Sequence, residues 1–213
     1  MDAPVDAPRQ PPTEERGRLE QRARLLAWGG TAWHLVEFAV ALGAGIAAGS
    51  VALVGFSLDS LIEVAAAGVV IWLFSAGRGT EHATERRAQQ LIAGSYALLV
   101  AYIGVEAVRD LVGAHHPSAS WVGIGLAAFT APTMPLLAGA KRRVGRQLGS
   151  SATVSEAGQN MICAYLSVAL LVGLLLNAVA GWWWADPASA LVIAAIAARE
   201  GLEAWRGETC DSC

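Results

Sequence analysis

Residues 157–185 read AGQNMICAYLSVALLVGLLLNAVAGWWWA, 29 consecutive positions without a charge. About 20 predominantly apolar residues in a helix cross the hydrocarbon core of a bilayer, so this stretch alone is long enough to span a membrane. Glu156 precedes it and Asp186 follows it. Trp182, Trp183 and Trp184 mark its far end, where aromatic side chains sit at a lipid–water boundary.

Working outward, six candidate spans emerge, at about 25–48, 51–76, 91–113, 119–140, 151–181 and 187–206. The whole chain is 54% hydrophobic and 15% charged, well below the roughly 25% charge of soluble domains. Every span has helical length, and the apolar/polar alternation of barrel strands is missing. Lipid leaves only helices or closed barrels, because each backbone polar group must be satisfied internally. The expected fold is therefore an all-α membrane protein, a six-transmembrane-helix bundle over 25–206. Residues 1–24 read as a disordered Pro-rich tail running into a charged helix start, and 207–213 as a short tail ending in Cys210-Asp211-Ser212-Cys213.

Orientation follows from Lys and Arg. Arg9, Arg16, Arg18, Arg22 and Arg24 precede the first span, Arg78, Arg86 and Arg87 separate the second from the third, and Lys141, Arg142, Arg143 and Arg146 separate the fourth from the fifth. Six spans put all of these on one face, with Arg109 toward the other, so both termini are expected in the cytoplasm. The Ala- and Arg-rich usage suggests a bacterial cytoplasmic membrane.

Several function classes fall away. No basic stripe interleaved with aromatics points to nucleic acid, and three cysteines cannot close a disulfide framework. Four prolines and mixed charges before the first span rule out a secretory signal. There is no Gly-rich phosphate loop, zinc-protease motif or nucleophile elbow. An enzyme is not expected, nor a bound cofactor.

Chemistry must then lie inside the bilayer, where a charge costs at least ~2.5–3.5 kcal/mol and marks function by default. Asp59 and Glu63 are the acids of the second span, four apart on one helix face. At about 1.5 Å per residue, Glu63 lies roughly 18 Å from the outer end, near mid-depth. Two carboxylates side by side in low dielectric repel each other unless a cation or a shared proton neutralises them. In the fifth span Glu156 and Asn160 share a face that Cys163 continues. Asn160 serves either as a ligand or as amide glue between helices, and Cys163 either as a ligand or as a small buried hydrophobe. His34 and Glu37 of the first span either extend the site or satisfy each other. Glu106, Arg109 and Asp110 read as a self-compensating cluster, and the terminal dithiol as a weak soft-metal site or a reduced tail.

The stretch from Gly49-Ser50-Val51-Ala52-Leu53 to Asp59-Ser60-Leu61-Ile62-Glu63 resembles the second transmembrane helix of the cation diffusion facilitators, the cation efflux family. Ala185-Asp186-Pro187 is similar to the start of that family's sixth helix. The resemblance covers about 25–206 and implies a six-helix divalent-cation transporter without the usual cytosolic C-terminal domain. It also implies a site pairing Asp59 and Glu63 with a fifth-helix His-x-x-x-Asp. Here the matching positions are Ala152 and Glu156: the histidine is replaced and the acid lengthened.

The expected function is a secondary transporter exporting a divalent metal cation in exchange for protons, with Asp59, Glu63, Glu156 and Asn160 as metal ligands and Glu37 and Cys163 as further candidates. Partners are the cation, protons and lipid, with a homodimer possible. Oxygen donors favour harder ions such as manganese or ferrous iron, whereas an inward Cys163 pushes toward zinc or softer ions. The alternative is a non-transporting metal-binding membrane protein that modulates a partner channel or transporter.

Overall fold

A computed structural model of the protein describes residues 13–75 and 82–206 and most of their side chains. They form six helices: α1 (Thr13–Ala48), α2 (Val51–Ser75), α3 (His82–Gly113), α4 (Trp121–Leu148), α5 (Ser151–Ala180) and α6 (Ala185–Arg206). No strand occurs among the described residues. α1, α4 and α5 each contain a stretch long and apolar enough to cross a bilayer. Leu98, Val112, Leu136 and Val179 point outward, while His34, Glu37, Asp59, Glu63, Lys141 and Asn160 are buried. An apolar exterior around ionisable groups is what lipid imposes on a bundle. The protein is a helical membrane bundle.

Three boundaries differ markedly from the sequence reading, one of them the start of α3, at His82 rather than about 91. Helix α1 starts at Thr13, so 13–24 are helical rather than part of a disordered tail. Their charges support a solvated helix, with Arg16 Nε 3.1 Å from Glu20 Oε1 one turn on. Helix α4 runs to Leu148, which places Lys141, Arg142, Arg143 and Arg146 on its last two turns and not in a loop. The described residues exclude 1–12 with Arg9, Arg78, and 207–213 with Cys210 and Cys213; nor is the Ala152 side chain described.

The α1–α2 and α4–α5 junctions are built alike. Gly49 and Gly149, 100 positions apart, each take φ +66, a left-handed cap that suits glycine. Ser50 N donates to Gly45 O at 3.0 Å, and Ser150 N to Gly145 O at 2.9 Å. Because successive helices reverse direction, the two junctions lie at opposite ends of the bundle, the pattern of an inverted repeat. The same offset relates Glu63 of α2 to Cys163 of α5.

The end holding the α1–α2 junction is tied across the fold. Ser50 Oγ donates to Asp186 Oδ1 at 2.5 Å and Ala52 N to Asp186 Oδ2 at 3.4 Å, so the first turn of α6 satisfies free donors at the start of α2. These are the Gly-Ser and Ala-Asp-Pro stretches singled out in the sequence. Ser118 N donates to Ala48 O at 2.8 Å, and Asn177 Nδ2 to Pro117 O at 3.0 Å.

Helix α1 packs on α2 and α4, α4 on α5, and α2 on α5, closing a ring of four. The pair α3–α6 leans on α2 and α5. Close approach is set by small residues: a Cβ at Gly173 of α5 would collide with Ser189 Oγ of α6.

Candidate metal centre

Burial along each ring helix recurs every three or four residues, so each presents one stripe inward. On α1 that stripe is Gly30, His34, Glu37, Ala41 and Gly45. On α4 it is Thr130, Met134, Ala138 and Lys141. On α2 it includes Phe56, Asp59, Ser60 and Glu63, and on α5 Asn160, Cys163 and Ser167. The polar members of all four stripes meet inside the ring.

His34 is the hub. Its Nδ1 lies 2.9 Å from Glu37 Oε2 and 2.9 Å from Glu63 Oε2. An ionised carboxylate only accepts, and Nδ1 carries at most one hydrogen, so it cannot donate squarely to both. Glu37 takes that hydrogen bond. Glu63 Oε2 is buried with no hydrogen-bond partner among the described residues. Thr130 Oγ1 donates to Glu37 Oε1 at 2.6 Å, and the Cys163 thiol reaches Glu37 Oε2 at 3.9 Å. Glu37, fully buried, thus accepts from α1, α4 and α5 at once.

Of the sequence-derived candidates, Glu63, Glu37 and Cys163 come together around His34. Asp59 is buried one turn from Glu63 along α2 and within electrostatic range of Glu63 and His34. Glu156 and Asn160 form a second group with Lys141, which lies near the end of α4. Lys141 Nζ lies 3.2 Å from Glu156 Oε2 and donates to Asn160 Oδ1 at 3.0 Å, while Asn160 Nδ2 donates to Met134 Sδ at 3.2 Å. Lys141 sits seven residues after Met134 on the same face, a spacing that could have revealed it. Glu106 pairs with Arg109 at 2.6 Å near the surface.

A cavity with about 20 Å³ of room lies between the two groups, lined by His34, Glu63, Lys141, Glu156, Gln159 and Asn160, among others. That is space for about one water or a bare ion. On its inner side Glu63 and, behind it, Glu37 share a single imidazole, and the Lys141 ammonium is engaged by Glu156. The Glu156 side chain, 28% exposed, lies on the side of the cavity toward the α4–α5 junction.

Residues 30–206 match the cation efflux transmembrane domain family. A Synechocystis protein named as an uncharacterized transporter is 28% identical over 165 residues. The alignment covers 74% of this chain, which spans 53% of that relative's length.

Proposed function

Since this chain belongs to the cation efflux family, a family of metal cation transporters, we propose that it exports a divalent metal cation across a bacterial cytoplasmic membrane in exchange for protons. The observation that carries this reading is Glu63: a buried carboxylate oxygen beside His34 Nδ1, whose hydrogen goes to Glu37, so that it is left without a hydrogen-bond partner among the described residues and faces a cavity of ionic size. With both termini cytoplasmic, that cavity faces the cytoplasm. An incoming ion meets Glu156 first and Glu63 and Asp59 deeper. The carboxylates take either the ion or protons, which is the chemical requirement of exchange. Alternating access then comes from rocking of the helices that carry Asp59 and Glu156. No step calls for a nucleophile or a cofactor, so the activity is transport rather than catalysis.

The Lys141 bridge to Glu156 and Asn160 favours a second reading. A fifth-helix acid neutralised by the chain's own ammonium suits a metal-binding protein that acts on a partner without moving ions. Flux into liposomes holding only this chain separates the two readings. Zinc, cobalt, manganese or iron added to vesicles with an imposed pH gradient should collapse the gradient, and Glu63→Gln should abolish the response while the protein still purifies folded. Silence of the wild-type chain with every metal would overturn transport and leave the second reading.

A further inference from the structure

The donor set at the centre of the ring differs from the all-oxygen shell that the fifth-helix positions imply. One imidazole nitrogen of His34, one Glu63 carboxylate oxygen and Cys163 Sγ all lie within 4.8 Å of one another, and all three residues are buried. They come from α1, α2 and α5. Tetrahedral binding with bonds of about 2.0–2.3 Å sets ligand atoms roughly 3.3–3.8 Å apart, so side-chain shifts of about 1 Å would close the shell. Glu63 Oε2 is the second sign of a ligand: its side chain is 6% exposed, the His34 Nδ1 beside it at 2.9 Å gives its hydrogen to Glu37, and the atom is left without a hydrogen-bond partner among the described residues. Glu63 and Cys163 also hold equivalent places in the two halves, by the offset that relates Gly49 to Gly149. They face each other where inverted-repeat transporters bind their cargo.

Resting on the transport reading, we propose that the cation is held by His34, Glu63 and Cys163, a nitrogen–oxygen–sulfur site selective for thiophilic divalent ions. Glu156 and Asn160 stay with Lys141, so the site lies two helical turns further along α5 than Glu156, about 10 Å deeper. Thr130 fixes Glu37 through Oε1. Glu37 Oε2 already accepts from the thiol and takes its proton when the sulfur–metal bond forms, while His34, whose Nδ1 hydrogen stays with Glu37, coordinates through its unprotonated ring nitrogen. The S–H bond breaks, the S–metal bond replaces it, and no electrons are transferred. Thiolate ligands select softer ions over manganese.

The test uses the full chain carrying Cys210→Ser and Cys213→Ser, which leaves Cys163 as the sole thiol of three. In lipid nanodiscs at fixed pH, cadmium titration should raise a saturating ultraviolet thiolate-to-cadmium band at one ion per chain. Adding Cys163→Ser, or separately Cys163→Ala, should remove the band. Either should weaken cadmium binding at least about tenfold while manganese binding changes less than about twofold. His34→Gln should weaken cadmium comparably. Cadmium bound without the band, or with affinity indifferent to Cys163 and His34, would overturn the site. A band without metal flux in liposomes would keep the site and overturn transport; flux without the band would do the reverse.

Discussion

Lys141 Nζ bridges Glu156 Oε2 at 3.2 Å and Asn160 Oδ1 at 3.0 Å, so an ammonium carried on α4 occupies the fifth-helix acid. A buried pair of this kind is costly to break from one side, and its positive charge opposes any ion entering the adjoining cavity. Lys141→Met keeps the apolar stem and removes that charge. Divalent-cation affinity should rise roughly fivefold or more, the lower range of site-to-site coupling, with some loss of thermal stability from the released Glu156. Calorimetric metal titration of wild type and variant checks this. An unchanged affinity would mean that Lys141 is only a strut.

The paired acids of α2 give a second expectation. Asp59→Asn with Glu63→Gln should eliminate metal flux while the protein inserts and elutes as a folded species. Both side chains are buried, and the amides keep their shape without their charge. Flux measured in the double variant at wild-type rates would remove α2 from the site.

Thr130 supplies the hydrogen bond to Glu37 Oε1. Thr130→Val is close in shape and leaves a buried carboxylate oxygen without its donor, at a cost of about 1–3 kcal/mol. A lower unfolding midpoint is expected, together with weaker cadmium binding, because Glu37 no longer holds its orientation beside His34 and Cys163. Thr130→Ser should restore both, and its failure to do so would point to packing rather than the hydrogen bond.

Gly173 and Ser189 define the α5–α6 contact. A methyl at Gly173 has no room beside the Ser189 side chain or Ala185 O. Gly173→Ala should therefore lower thermal stability by about 1–3 kcal/mol. Adding Ser189→Gly should recover part of that loss, since it removes the nearer obstacle. Additive losses across the double-mutant cycle would show that the two positions do not press on each other.

Helix α6 is also held at its first turn, where Ser50 donates to Asp186. Ser50→Ala strips a donor from a fully buried carboxylate and should cost about 1–3 kcal/mol of stability. Metal affinity should not change, because Asp186 lies at the end of the bundle away from His34. A matching fall in affinity would tie this end to the metal centre.

The six helices were legible in the sequence because lipid leaves the backbone so few choices: an apolar run of sufficient length must become a helix, as 157–180 does. Asp59 and Glu63 stood out for the same reason, since a charge in such a run is expensive and visible. Which residues face one another was not legible. His34 and Glu37 could be paired by their spacing of three, but the approach of Glu63 to His34 depends on how α1 is rotated against α2. Lys141, followed by Arg142 and Arg143, looks like one more positive loop residue until the length of α4 and its inward stripe are known. Cys163 reads equally as a small hydrophobe or a ligand, and only the packing of α1 and α5 against α2 and α4 brings its sulfur to Glu37 across the ring. Helix formation is decided within a segment by local hydrogen bonding and burial. The metal centre is decided between segments, by rotations and crossings that a single run of residues does not encode.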